Sequence, residues 1–553
     1  MGLFRSEFNN YIPPFFGDGG SRNNTMSTQN KLPMRGKDIE TRPIYVEEWL
    51  DSLPYIDFSN TIMLLQQALQ AINAVPMKST QRMEIVTLFH RPYKYYLDTQ
   101  IRTGAQHTMQ SMEMMQNQLS GLKSVAVQLG RASRLAMDEA LSHKSLWGQH
   151  KYPLQEILMT MTYLSHALIY SFLEYAPAPQ KVWHELNFLY QFAENITQHQ
   201  TPVKLVATSK KDVTSIEKRY KRIALIALAD PYHLPFGAIW EIYEQLHEWT
   251  NLAELKPLQQ VNTVEGYFVI NLISDTSPLP YVKFNTANSG ENYRLLDTNK
   301  LLEVIRKHIQ KLKPGTKQEG LTFSPFYAEY LLRIINKAWS TPPKRHSPRK
   351  PRSGQMNLMH GLNTMYYFLN GEHDFNIQND DRQLENDVGT FNTAIDSTTR
   401  YRKENWNLVD TCSGGIAVTR DDIPKSGVRV GDIVGLNLDE KNGGAEFFRV
   451  GILRWMLVRQ GKIYKAGIQI FNQPVSPASV RASHGNQMER EFRRAILTGN
   501  PLKQKDITVF TSKGLHLQDR VLEININDKI FKGKVGEIIE STTCFEQFEL
   551  KLQ

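Results

Sequence analysis

Cysteine is nearly absent from this sequence. The 553 residues contain only Cys412 and Cys544, and no Cys-x-x-Cys pair or Cys/His cluster occurs. This content argues against a disulfide framework and against a structural zinc site, because both need several such residues at short spacings. We therefore expect a protein of the reducing cytoplasm.

Targeting segments and long apolar runs are also missing. The N-terminus has no apolar stretch long enough for a signal peptide. The longest uncharged run, Ile157 to Leu173, contains Thr, Tyr, Ser and His, and it is shorter than the roughly 20 apolar residues that cross a bilayer. We expect a soluble chain without a membrane span.

Catalytic motifs are the third absence. The sequence has no Gly-x-x-x-x-Gly-Lys-Ser/Thr loop, no Gly-x-Ser-x-Gly elbow, no His-Glu-x-x-His pair and no acidic metal cluster. We predict a protein that is not an enzyme, with no catalytic residue, no metal ligand and no cofactor. The net charge of +9 suits an anionic partner, but spread over 553 residues it is weak evidence for nucleic acid.

The first half of the chain has mostly helical patterning. The length predicts several domains, because single hydrophobic cores rarely grow past roughly 250 to 300 residues. Residues 1–40 are rich in Asn, Ser, Gly and Pro and are predicted to be a disordered tail. Residues 41–257 are predicted to form an all-α bundle of about eight helices. Apolar stripes of the expected spacing occur at Ile62, Leu65, Leu69 and Ile72, and at Met112, Met115, Leu119 and Leu122.

Strands are predicted after the bundle. Residues 258–340 indicate a mixed segment, with a strand, a turn and a strand over Val264–Phe284 and then two helices. Short alternating apolar stretches within residues 341–480 indicate a small antiparallel barrel or sandwich. A short helix is predicted over Ser483–Leu497, inside a further small β unit at 481–553. The fold class is therefore multidomain α+β, with an N-terminal helical bundle and C-terminal β units.

Two stretches resemble the halves of one anion site. The basic segment Lys344–Arg352 has five cations, no acids and prolines that keep it extended. An apolar strand, Trp406–Val409, runs into Asp410, a cluster of small residues and a glycine pair, followed by a second apolar strand. Taken alone, the first stretch is more often a solvated linker and the second a plain turn.

Their conjunction resembles the PilZ family. Arg345-His346-Ser347-Pro348-Arg349 fits its RxxxR motif, and Asp410-Thr411-Cys412-Ser413-Gly414-Gly415 is similar to its second motif, which has Asp or Asn, Ser two residues later and Gly three after that. Arg454-Trp455 and Ala466–Ile470 are similar to later strands of the family. The likeness covers roughly residues 344–472. One departure is Cys412 where the family has Ser, since a thiol is a weaker hydrogen-bond donor and acceptor.

The resemblance implies a PilZ-like β-barrel that binds cyclic di-GMP in a bacterium, in second-messenger control of biofilm formation or motility. The implied ligand-binding residues are Arg345, Arg349, Arg352, Asp410, Cys412, Ser413 and Gly415. Arginine suits such a ligand because its planar fork binds phosphate or guanine through two bonds and its face stacks on a base. The Asp410 carboxylate suits the guanine N1 and N2 donors, and glycine lets backbone approach the ligand.

The predicted function is a cyclic di-GMP effector whose helical domain passes the signal to an unidentified protein partner. Ligand binding would order the basic segment and reposition the helix ending at Trp339. The acidic insertion 371–399 is expected to be a mobile surface loop, or alternatively a screen for the basic segment. Two other functions stay open: a scaffold that has lost nucleotide binding, and a nucleic-acid-binding protein.

Overall fold

The computed structural model describes residues 32–552, apart from 36–37, 105–111, 143–151, 206–212, 286–289, 313–316, 326–327, 341–347, 374–400, 439–447, 460–462, 485–486, 490, 501–504, 528 and 543. The predicted tail up to residue 31, Arg345 and nearly all of the acidic insertion therefore lie outside the described residues. In the part that is described, no helix is both long and apolar enough to cross a membrane.

The N-terminal part is helical, as predicted. Its eight described helices are α1 (Pro43–Asp51), α2 (Phe58–Asn73), α3 (Ser79–Gly104), α4 (Met112–Ser142), α5 (Leu154–Leu173), α6 (Val182–Asn195), α7 (Ile216–Leu228) and α8 (Ala238–Trp249). Two short hairpins accompany them, β1 (Met34–Arg35) with β2 (Asp38–Ile39) and β3 (Val203–Lys204) with β4 (Val213–Thr214). Helix α5 is buried on all sides from Ile157 to Leu173, so it is the central helix of the bundle.

Helix ends follow local sequence signals. Asp57 caps α2 by accepting a hydrogen bond from the amide of Asn60, and α1 has Pro43 in its first turn. The N-cap of α7 is Ser215, whose side chain accepts a hydrogen bond from the amide of Lys218.

A four-stranded antiparallel sheet follows the bundle, with the strand order β5-β8-β6-β7. The strands are β5 (Glu254–Pro257), β6 (Tyr267–Asn271), β7 (Leu279–Pro280) and β8 (Tyr293–Asp297), and they are followed by helices α9 (Asn299–Lys311) and α10 (Ala328–Ser340). Buried residues of this sheet and of both helices belong to the same apolar core as the bundle. The predicted boundary at residue 257 falls at the end of β5, whose partner strand β8 lies beyond it.

The next unit is a closed six-stranded antiparallel barrel, the first barrel. Its strands are β10 (Gln355–His360), β11 (Lys403–Cys412), β12 (Gly415–Arg420), β13 (Ile433–Leu438), β14 (Phe448–Arg459) and β15 (Ile463–Phe471). Their order is β10-β13-β14-β15-β12-β11, and pairing of β10 with β11 closes the ring. A short strand, β9 (Lys350–Pro351), pairs with β11, and helix α11 (Gly361–Leu369) follows β10.

The C-terminal β unit is a second closed barrel with the same ring order. Its strands are β16 (Val475–His484), β18 (Arg493–Asn500), β19 (Lys505–Thr511), β20 (Val521–Ile526), β21 (Lys529–Ser541) and β22 (Glu546–Leu552), and β17 (Gln487–Met488) pairs with β16. The order is β16-β18-β19-β22-β21-β20, and pairing of β16 with β20 closes it. In both barrels the first strand neighbours the second and the fourth, and the sixth neighbours the third and the fifth.

One local prediction was wrong. The described residues of Ser483–Leu497 contain no helix, and Ala495, Ile496 and Leu497 lie in β18 of the second barrel. Strand β10 ends at His360, and the chain continues directly as α11. The predicted end of the first β unit at residue 480 falls inside β16, all of whose described pairings are within the second barrel.

Polar and apolar contacts join the barrels to each other and to the bundle. Tyr175, just after α5, lies in the apolar core of the first barrel, and its carbonyl accepts a hydrogen bond of 2.8 Å from the amide of Val458. Between the barrels, the thiol of Cys544 donates to Asp432 at 3.0 Å, and Asp432 also accepts from His360 of its own barrel at 2.7 Å. A separate apolar cluster, with Met359, Met365 and Phe510 among its members, fills the space around α11.

Candidate functional site

The basic segment adds a strand to the first barrel at the predicted turn motif. Lys350 pairs with Thr411 and Pro351 with Asp410, and the amide of Arg352 donates to the carbonyl of Val409 at 3.1 Å. Proline is tolerated in β9 because this strand lies at the edge of the sheet, where the missing N–H removes no hydrogen bond between strands. This pairing brings together two stretches that are about sixty residues apart in sequence.

Arg349 and Asp410 form an ion pair on the outer surface of the barrel. Nη1 of Arg349 lies 3.4 Å from both oxygens of the Asp410 carboxylate, and the two side chains are 38% and 18% exposed. Asp410 lies at a bulge in β11: Leu408 pairs with Val418, but Asp410 pairs with Ala417, and Val409 is skipped. A bulge re-aims the side chains beside it, and this one marks the end of the inward and outward alternation of β11.

Trp455 completes this surface, and it was not among the predicted site residues. The guanidinium carbon of Arg349 lies 6.0 Å from the centre of the Trp455 ring. A second bulge, between Leu453 and Trp455, leaves Arg454 unpaired on β14. The sequence contains a signal for this bulge. Leu453 and Met456, which are both buried, are three residues apart, whereas inward-facing residues of a regular strand are two apart. Arg454 and Trp455 therefore both lie on the outer face.

The glycine pair has a structural explanation that differs from the predicted one. A Cβ on Gly415 would lie 2.7 Å from the carbonyl oxygen of Ile468 on β15, whereas a Cβ on Gly414 would meet open space. The close neighbour of Gly415 is thus the adjacent strand. Cys412 ends β11 half-buried and pairs with Gly415, and Ser413 is exposed in the turn between them.

The remaining predicted residues are placed as follows. Arg352 is exposed, and its described hydrogen bond is made by its backbone. Arg345 lies in the undescribed stretch 341–347, which directly precedes the described part of the basic segment. Among the described residues, no group of three or more His, Cys, Asp or Glu side chains is arranged to hold a metal ion.

Comparison with known proteins identifies two domain families along the chain. A model described as the N-terminal domain of the cyclic-di-GMP receptor FimW matches residues 45–260. A second model, described as the middle PilZ domain of the same receptor, matches residues 267–397. This chain contains a PilZ domain. The PilZ match includes Arg345 and Arg349 of the basic segment and ends before Asp410, so the predicted boundaries 341–480 stay a prediction.

One curated relative extends the likeness over nearly the whole chain. The cyclic-di-GMP receptor FimW of Pseudomonas aeruginosa is 21% identical over 580 aligned positions, which cover 93% of this chain and 91% of the relative. No solved structure matches the chain. The PilZ match covers the RxxxR segment, which carried part of the resemblance, whereas the Asp410 motif and the later strands lie beyond it.

Proposed function

We propose that this protein is a cyclic di-GMP effector that binds the nucleotide on the outer face of its first barrel. The observation that carries the proposal is the placement of Arg349 beside Asp410 and Trp455. The relative that spans the chain is named a cyclic-di-GMP receptor, and this name agrees with the proposal.

The chemistry of this surface suits a ligand with two phosphates and two guanines. The Arg349 fork can bind phosphate or the O6 and N7 atoms of guanine, and the Asp410 carboxylate can accept from guanine N–H donors. Trp455 offers a half-exposed ring on which a base or a guanidinium stacks. Arg345, Arg352, Cys412, Ser413 and Gly415 remain proposed contributors from the same two segments.

The signal would leave the site through the helix that precedes the basic segment. Helix α10 ends at Ser340, and the chain reaches Arg349 nine residues later. The indole of Trp339 is buried and donates a hydrogen bond of 2.9 Å to the carbonyl of Leu225 in α7. A displacement of the basic segment on ligand binding would therefore move α10 and, through Trp339, the bundle. We propose that the bundle binds the protein partner. We also propose that the protein acts in the cytoplasm and is not an enzyme.

Titration of cyclic di-GMP into the full chain and into Arg349→Ala tests the proposal. We expect micromolar or tighter binding by the unmodified chain, and a loss of roughly 5- to 150-fold in the variant because a fork contact is worth about 1 to 3 kcal/mol. Lys350→Ala is the matched control, since it removes the same charge from the neighbouring, exposed residue. Equal losses in both variants would mean that only the charge of the segment matters.

Two other outcomes would replace the proposal. No heat at high micromolar ligand would favour a scaffold that acts through protein contacts. Binding to long DNA or RNA with an affinity that falls steeply with salt would favour a nucleic-acid-binding protein.

A further inference from the structure

Arg454 lies beside the candidate site but is held by the second barrel. Its Nη1 and Nη2 atoms donate to the two carboxylate oxygens of Glu540 on β21, at 2.5 and 2.7 Å. This is the two-bond geometry of strong arginine–carboxylate pairs. The Arg454 side chain is 30% exposed and that of Glu540 14%, so the pair is shielded but still open to solvent on the arginine side.

Named contacts connect this pair to the candidate site. The Nε atom of Arg454 donates to Oε1 of Gln469 at 2.7 Å, and Gln469 is the strand partner of Gly415 in the turn motif. On the other side, Arg454 is the chain neighbour of Trp455, which faces Arg349. The guanidinium of Arg454 therefore lies on the same outer surface as the Arg349–Asp410 pair.

The charges of the pair also reach the helix that leads into the basic segment. Burial raises the pKa of Tyr330, on α10, to about 12, and the charges of Arg454 and Glu540 act on its hydroxyl with opposite signs. Arg454 thus contacts both barrels, and its charge acts on α10.

We propose that Arg454 is a further arginine of the ligand site and that Glu540 of the second barrel competes with the ligand for it. The inference rests on the proposed cyclic di-GMP function. When the site is empty, the carboxylate of Glu540 neutralises Arg454 and ties the two barrels together. A phosphate of the ligand offers the same guanidinium two acceptor oxygens in the same geometry. Occupancy of the site then weakens the contact between the barrels.

Thermodynamic reciprocity fixes the direction of the test. If the ligand weakens the contact between Arg454 and Glu540, removal of that contact must strengthen ligand binding by the same factor. If the Arg454–Glu540 pair only stabilised the fold, its removal would not strengthen ligand binding.

The experiment compares cyclic di-GMP affinities of full-length variants by calorimetric titration. We expect Glu540→Gln to bind about three- to tenfold more tightly, and Arg454→Gln to bind at least tenfold more weakly. The double variant should match Arg454→Gln, because Glu540 acts through that arginine. The matched control is Glu523→Gln, which breaks the Arg481–Glu523 pair inside the second barrel. That pair is also 14% exposed at the glutamate and 26% at the arginine.

Each outcome decides the inference. Unchanged or weaker binding by Glu540→Gln, in a variant whose thermal unfolding shows it to be folded, overturns the competition. An equal gain in Glu523→Gln would trace the effect to net charge and would also overturn it. Absence of binding by the unmodified chain contradicts the proposed function itself, whereas binding that is insensitive to Arg454 and Glu540 contradicts this inference alone.

Discussion

Trp455 packs directly against Gly467, its partner on the neighbouring strand of the first barrel. A Cβ at position 467 would be 1.8 Å from the indole nitrogen, so no other residue fits beneath this ring. The bulge at Arg454 and the absence of a side chain at Gly467 together fix the ring on the outer surface. This arrangement holds the ring beside Arg349 before any ligand arrives.

Gly467→Ala should displace Trp455 and weaken cyclic di-GMP binding. Overpacking of this kind costs about 1 to 3 kcal/mol of stability, and the displaced ring no longer faces Arg349. Thermal unfolding measures the first effect and ligand titration the second. Gly414→Ala is the control, because its added Cβ meets open space. Unchanged affinity in a folded Gly467→Ala chain would exclude Trp455 from the site.

Asp410→Asn should separate ligand binding from stability. Its ion pair with Arg349 is partly exposed and long, at 3.4 Å, so breaking it should change the free energy of unfolding by less than about 1 kcal/mol. Affinity for cyclic di-GMP should fall roughly tenfold or more, because a carboxylate that accepts from guanine is lost. Asp422→Asn breaks another aspartate–arginine pair of the same barrel and should leave affinity unchanged. Similar affinities in the two variants would remove Asp410 from the site.

The His360–Asp432 pair should make stability depend on pH. Burial lowers the pKa of His360, but the charge and hydrogen bond of Asp432 outweigh it, so the pKa is raised overall. Burial raises the pKa of Asp432, but His360, Cys544 and the Arg429 amide outweigh it, so that pKa is lowered. The histidine's contribution is complete below about pH 6.5 and is lost as the pH rises through its raised pKa. The aspartate's contribution is present above about pH 3.9 and is lost as the pH falls through its lowered pKa.

Urea unfolding between pH 5 and 9 measures this dependence. The stability difference between the unmodified chain and His360→Asn should be largest near pH 6 and should shrink toward pH 9. His233→Asn, which breaks a half-exposed pair with Asp230, serves as the control. Parallel curves for the unmodified chain and His360→Asn would contradict the prediction.

Tyr175→Ala should loosen the contact between the bundle and the first barrel. The ring is 3% exposed within the barrel core, and its hydroxyl accepts from the amide of Val430 at 3.4 Å. Loss of the ring should cost about 3 to 5 kcal/mol, whereas Tyr175→Phe removes only a weak hydrogen bond and should cost about 1 kcal/mol or less. Tyr95→Ala, at a ring that is 57% exposed, is the control. Urea unfolding and limited proteolysis between the two units measure the effect, and equal midpoints for the alanine variants would contradict it.

Helical spacing and the two short motifs could be recognised in the sequence, because each depends only on residues that are close together in the chain. The stripe Ile62, Leu65, Leu69 and Ile72 is buried, and all four residues lie in α2 as the spacing predicted. The RxxxR segment and the Asp410 turn indicated one site, and the structure brings Arg349 and Asp410 together. The predicted roles of the individual site residues stay predictions.

Other features depend on partners far away in sequence. Ser483–Leu497 was predicted to be a short helix that carries several arginines. Its β18 part pairs instead with β16 and β19, and this pairing within a closed barrel decides its structure. The glycine requirement at Gly415 likewise comes from Ile468, more than fifty residues later.

The sequence by itself determined the helical bundle, the strand-rich second half and the two segments that resemble a PilZ site, because periodicity and short motifs are properties of neighbouring residues. Only the tertiary structure decided that the C-terminal unit is a second barrel with the ring order of the first, that Trp455 faces Arg349, and that Glu540 holds Arg454. These depend on strand closure and on side chains from separate units meeting at one surface, and such meetings are set by packing between distant parts of the chain.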